Sequence, residues 1–248
     1  MQGIPSMEKF ENTEALLAWI VDFFSMNFGN SAILKGGMAL RLMHSPRYTN
    51  DVDYIFIPFD SKKDAKGIIE TALLKVDGLQ FQSTMNSKAL KILLTYGGQR
   101  AQVEVNVEKE CPSIPMSSAL LSTAHGRPTR ILRIMEPGVS FAHKIAAWNE
   151  RELMRDLYDI YQYESLFKVN PRMDILKMRL KKARAYKGVA AALEIGELLD
   201  KLTHVAERLN DTALAELRPL LSEENLAGLA FRMRPAILAL CEKLKSDG

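Results

Sequence analysis

At Pro137-Gly138 the chain changes character, from strands interleaved with helices to helices alone, and that change limits the folds open to it. Upstream, short runs alternate between apolar and polar residues; downstream, apolar residues recur only at helical spacing. The upstream part opens with a helix, "EALLAWIVDFFSMNF", capped by Asn12 or Thr13 and ended by "GNS". It continues as a strand "AILKGG", a short helix "MALRLMH", a loop "SPRYTN" and a strand "DVDYIFIPF" rich in Val, Ile, Tyr and Phe. "SKKDAKGIIETALLKV" reads as an amphipathic helix, and "ALKILLTYGGQRAQVEVNVEKE" as a hairpin turning at Gly97-Gly98. On its second arm Gln102, Glu104, Asn106 and Glu108 share one face, and Val103, Val105 and Val107 the other. A loop with Pro112 and Pro115 leads to a further strand, "TRILRIM". Beyond the break come one long helix, "VSFAHKIAAWNERELMRDLYDIYQYESLF", a second, "PRMDILKMRLKKARAYK", and two or three more. An α/β domain over 1–136 followed by an α-helical domain over 137–248 is the expected organisation.

With 248 residues the chain can bury a sizeable core. Its net charge is only +3, so nothing global calls for nucleic acid or an anionic membrane, and any basic footprint must be local. Cys111 and Cys241 lie far apart without metal-ligand spacing, which suits free thiols in a reducing compartment. No run approaches the ~18 apolar residues of a membrane span, and no charged n-region leads into an apolar stretch. The expectation is a cytoplasmic protein with no membrane partner.

Asp51 and Asp53 flank Val52 at the start of a strand, where side chains two residues apart project from one face with Cα atoms roughly 6.5 Å apart. Two carboxylates so placed repel until a divalent cation sits between them, and hard oxygen ligands suit Mg²⁺ or Mn²⁺. A third carboxylate on a neighbouring strand would complete such a site, and Glu104 is the best candidate. The same two residues equally suit a turn cap at Asp51 and a solvated Asp53. Gly36 and Gly37, between a strand and a helix, offer backbone N–H groups to an anion such as a triphosphate, with Lys35 and Arg47 adding cations; a tight turn would use the same pair. Further on, Lys144, Trp148, Arg151 and Arg155 step by four, three and four, forming one helical stripe with Asp156 and Asp159 beside it. Such a stripe suits a nucleotide's phosphates and base, and equally a salt-bridged surface helix.

Taken in order, "LKGGMALRL", "RYTNDVDY", "VEVNV" and "HKIAAWNERELMRDLYDIY" resemble the AbiEii/AbiGii-type nucleotidyltransferases, toxins of toxin–antitoxin and phage-abortive-infection systems in the DNA polymerase β-like superfamily. The resemblance covers roughly residues 30 to 165 and implies an α+β fold, a mixed sheet with flanking helices followed by helices that complete the nucleotide site and shape the acceptor cleft. It implies that Gly36 and Gly37 hold phosphates, that Asp51 and Asp53 bind catalytic metal, and that Glu104 is the third acidic position, a general base or nucleophile-side ligand. Lys144 would contact the nucleotide and Asp156 would be the acid of the last motif, with Arg151, Arg155 and Asp159 in support. Three positions depart from the wider pattern: Gly37 replaces a serine, Gln102 stands where a lysine often precedes the third acid, and Ser140 stands where an acid is common. The implied reaction is attack of an acceptor hydroxyl on the α-phosphorus of an NTP with release of pyrophosphate, assisted by Mg²⁺ or Mn²⁺.

The family implies an RNA acceptor, the tRNA 3′ end, and a cognate antitoxin. One stretch of this sequence speaks to the acceptor: residues 172–187 hold Arg172, Lys177, Arg179, Lys181, Lys182, Arg184 and Lys187 against Asp174 alone. So dense a run suits several phosphates, and equally a solvated helix face. Transfer to a small molecule or a protein hydroxyl, phosphotransfer, and a non-catalytic partner-binding role are the rival readings.

Overall fold

The computed structural model describes residues 8–184, 186 and 188–246. The chain packs as two compact units, Met1–Met135 and Glu136–Gly248.

In the first unit, helix α1 (Thr13–Phe28) starts where the Asn12 side chain accepts the Ala15 N–H at 2.9 Å. Among the described residues seven strands form one mixed sheet: β1 (Ala32–Lys35), β2 (Asp51–Phe56), β3 (Gln80–Met85), β4 (Leu90–Tyr96), β5 (Gln99–Val107), β6 (Ser113–Ser117) and β7 (Ile131–Met135), in the order β3-β4-β5-β2-β1-β7-β6. Helix α2 (Gly36–Leu42) joins β1 to β2, α3 (Lys62–Leu73) follows β2, and α4 (Ala119–Ala124) precedes β7. The pairs β2–β5 and β1–β7 are parallel, while β1–β2, β3–β4, β4–β5 and β6–β7 are antiparallel.

Alternation decides which face of the sheet is dry. Val52, Tyr54, Phe56, Ile92, Leu94, Val103 and Val105 are buried in the core together with Leu16, Leu17, Ile20 and Phe24 of α1, and the Phe24 and Tyr54 rings stack at 4.7 Å. Asp51, Asp53, Gln102 and Glu104 alternate with these residues and are only half-buried. Two stretches differ from the sequence reading. The loop with Pro112 and Pro115 contains strand β6, whose place at the sheet edge tolerates a proline that cannot donate to a ladder. The opposite edge strand, β3, is mostly polar and exposed, and "QFQSTM" carries too little apolar alternation to be read as a strand.

The second unit is helical: α5 (Pro137–Arg151), α6 (Met154–Gln162), α7 (Met173–Lys181), α8 (Ile195–Glu207), α9 (Glu223–Leu226) and α10 (Leu229–Ser246). The long helix expected after Pro137 is two helices. Glu152 ends α5 in the left-handed region, φ 52°, and Lys201 of α8 pairs with its carboxylate at 2.7 Å. No glycine or proline marks this break. The helix read through Lys187 stops at Lys181, and Lys187 itself lies outside the described residues.

Candidate active site

Strand pairing assembles a row of charges across four neighbouring strands. Lys35 of β1 pairs with Asp53 of β2, Asp53 with Glu104 of β5, and Glu104 with Lys91 of β4. Paired residues project from the same face, so the row runs cation, anion, anion, cation, with Asp51 and Gln102 paired one step along β2 and β5. The two inner carboxylates repel, and each is met by its outer lysine: Lys35 Nζ is 3.5 Å from Asp53 Oδ1, and Lys91 Nζ is 2.7 Å from Glu104 Oε1. Gln102 Nε2 donates to that same Oε1 at 2.9 Å, and Thr49 Oγ1 donates to Asp51 Oδ1 at 2.8 Å. The Glu104 carboxylate, and behind it the field of Asp51 and Asp53, hold the Lys91 ammonium above its ordinary pKa.

The glycine pair explains its own composition. Gly36 has φ 69°, and a Cβ there would stand 2.2 Å from Asp53 Oδ2, so only glycine lets this carboxylate lie against the β1–α2 turn. A Cβ on Gly37 would meet Arg47 Nη2 and Thr49 Oγ1, each at 2.8 Å; the buried guanidinium of Arg47 and the Thr49 hydroxyl fill the space a serine side chain would need. Arg47 also donates to the Tyr48 carbonyl at 3.1 Å, a bond within the loop before β2.

Carboxylate oxygens are the hard donors that Mg²⁺ and Mn²⁺ take, and one or two of them commonly suffice when water and phosphate complete the shell. Asp51 and Asp53, half-buried on one face, are donors of the kind that pattern uses. Among the described residues no three His, Cys, Asp or Glu side chains gather closely enough to hold an ion by themselves. Glu104 stands beside Asp53 in register, yet its carboxylate is engaged by Lys91 and Gln102. Lys91 escaped the sequence reading, although a two-residue turn at Gly97-Gly98 already sets Lys91 opposite Glu104 by counting outward from the Tyr96–Gln99 pair.

In the helical unit, Lys144 Nζ lies 2.6 Å from Asp159 Oδ2 and 3.8 Å from Asp156 Oδ1, and Arg151 Nη2 lies 2.7 Å from Asp156. Asp159 and Asp156 are 0% and 1% exposed, and each has a cation beside it, as a buried carboxylate requires. The expected single stripe is corrected here. Arg155 falls on α6, past the break at Glu152, and is exposed. Trp148 is wholly buried with Lys201 Nζ 5.6 Å from its ring centroid, so it offers no face to a nucleotide base.

The basic stretch is less free than its composition suggests. Arg172 pairs with Asp174 and Arg179 with Glu150, leaving Lys177, Lys181, Lys182 and Arg184 as exposed cations along and just past α7. Of the two thiols, Cys111 is half-buried and Cys241 buried. Burial pushes the Cys111 thiol up to about 11 and raises that of Cys241 as well. No helix among the described residues is long and apolar enough to cross a membrane.

A family model described as nucleotidyl transferase AbiEii toxin, type IV toxin–antitoxin system, matches residues 22–239. Three solved structures share the fold at low identity. JHP933 from Helicobacter pylori superposes with a TM-score of 0.56 at 13% identity, covering 97% of this chain and 96% of its own. MenT4, a nucleotidyltransferase toxin from Mycobacterium tuberculosis, gives 0.57 at 17%, covering 92% and 84%. A putative nucleotidyltransferase from H. pylori gives 0.54 at 14%, covering 95% and 96%. No curated protein matches by sequence.

Proposed function

Because the chain belongs to the AbiEii family of nucleotidyltransferase toxins of type IV toxin–antitoxin systems, we propose that it moves an NMP from an NTP to an acceptor hydroxyl of RNA, at the tRNA 3′ end, in a reaction dependent on Mg²⁺ or Mn²⁺. The observation that carries this reading is the Asp51, Asp53 and Glu104 face lying against a glycine bend that has no side chain of its own.

Asp51 and Asp53 would hold the metal, which when bound supplies positive charge to the triphosphate and to the entering hydroxyl. Thr49 fixes the Asp51 carboxylate by donating to Oδ1, so one ligand is oriented before the ion arrives. Gly36 and Gly37 present backbone to the phosphates, with Lys35 beside them and Arg47 bracing Gly37 from behind. Glu104 is assigned to the acceptor side, as the third ligand of the ion or as the carboxylate that takes the hydroxyl's proton. In the helical unit Lys144 is the nucleotide-contacting lysine, held in place by Asp159 and Asp156, with Arg151 and Arg155 as further cations. The exposed cations on and after α7 favour a polyanionic acceptor over a cationic drug.

As a member of a toxin–antitoxin family the chain has a cognate antitoxin as its expected partner; we place its action in the cytoplasm, with phage defence as the setting. The test incubates the protein with each α-³²P NTP, Mg²⁺ and total RNA. Label on tRNA, lost at least ~10³-fold in Asp53→Ala with unchanged circular dichroism, is the expected result. Label transferred at the wild-type rate by Asp53→Ala removes the metal assignment, and label transferred only from γ-³²P NTP makes the enzyme a phosphotransferase.

A further inference from the structure

We propose that Lys91 is a built-in competitor of the divalent cation: it holds Glu104 away from the Asp51/Asp53 pair, so that an ion recruits the third carboxylate only by displacing a lysine. The proposal rests on the reading of Asp51 and Asp53 as metal ligands.

Three observations lead to it. Register makes Lys91 the direct cross-strand neighbour of Glu104 on the side opposite Asp53, so the Glu104 carboxylate has a cation available in one direction and a like charge in the other. Its Oε1 has taken the first direction, at 2.7 Å from Lys91 Nζ, with Gln102 Nε2 donating to the same oxygen. Although this face carries three acids, no three His, Cys, Asp or Glu side chains among the described residues gather closely enough to hold an ion. The lysine is also replaceable. Its side chain is 41% exposed and that of Glu104 25%, so water can solvate the ammonium once it is displaced. Lys35 on the other flank lies 3.5 Å from the Asp53 carboxylate. Together the two lysines leave the face with one formal negative charge, which restrains carboxylate repulsion before an ion binds.

Mn²⁺ affinity, measured by electron paramagnetic resonance of the free ion in titrations of the full chain, tests this without any turnover. Lys91→Met should bind Mn²⁺ roughly tenfold more tightly than wild type, because a positive charge leaves the site and Glu104 is released. Lys91→Arg, which keeps the charge, should stay near wild type. Adding Lys91→Met to Glu104→Gln should bring little further gain, since the lysine acts through that carboxylate. Equal or weaker binding by Lys91→Met overturns the proposal. So does a full tenfold gain on the Glu104→Gln background, which would make Lys91 a distant charge only. Asp53→Asn separates the two levels. If it abolishes Mn²⁺ binding while Lys91→Met changes nothing, Lys91 alone is misassigned; if neither wild type nor Lys91→Met binds Mn²⁺, the metal reading falls and the proposal with it.

Discussion

Lysine meets carboxylate in both units, but in opposite surroundings. On the sheet, Lys35–Asp53 and Lys91–Glu104 lie on a half-open face, every partner is partly exposed, and water can replace either cation. In the helical unit, Lys144 and Arg151 serve Asp159 and Asp156, which are essentially sealed. An exposed pair contributes little to stability and exchanges its partner easily; a buried carboxylate stripped of its cation keeps the desolvation penalty. The comparison teaches that the sheet acids are arranged to trade counter-ions, whereas the helical acids are arranged to hold one lysine still.

The sharpest way to break that contrast is to delete one lysine from each side. Lys144→Met should destabilise the chain by about 3–5 kcal/mol in urea unfolding, against under ~1 kcal/mol for Lys35→Met. Similar costs for the two would erase the distinction. Next in size is Gly36→Ala, which sets a Cβ against Asp53 Oδ2 at a positive φ. A loss of about 1–3 kcal/mol is expected, with NMP transfer falling at least tenfold, because Asp53 must move to relieve the clash. Transfer at wild-type rate would mean that the position of Asp53 against the bend is unimportant.

The smallest effect concerns the thiols. Burial pushes the Cys111 thiol up to about 11 from an ordinary 9.0, so in the folded chain it stays protonated where the unfolded chain would already ionise. Between those values the unfolded state binds fewer protons, and this group lowers stability as pH rises through that window. Native labelling of Cys111 by a disulfide reagent at pH 8 should be many-fold slower than in the unfolded chain, since the thiolate is the reacting form. Equal rates would show that the thiol is not buried as described.

Much of this architecture is legible in the residues. Asn12 caps α1 and Gly97-Gly98 turns the hairpin through two positive φ values, because caps and turns depend on a few neighbouring residues. Period-two alternation puts Asp51 and Asp53 on one face for the same local reason. Other features left no such trace. The stretch "NERELMRDL" is mostly good helix formers, yet the chain breaks at Glu152, where Lys201, far along the sequence, meets the carboxylate. Trp148 reads as part of an exposed stripe until the packing of the helical unit buries it.

Taken alone, the sequence determined what depends on neighbours a few residues apart: the change of character at Pro137, the paired aspartates, the glycine bend, and, through the two-residue turn, the meeting of Lys91 with Glu104. Only the tertiary structure decided that β2 lies parallel to β5, so that Asp53 stands next to Glu104, and that Asp156 and Asp159 are sealed beside Lys144. The physical reason is range. Turn geometry and side-chain periodicity act along the chain, whereas strand neighbours and burial are set by the packing of segments that no local pattern connects.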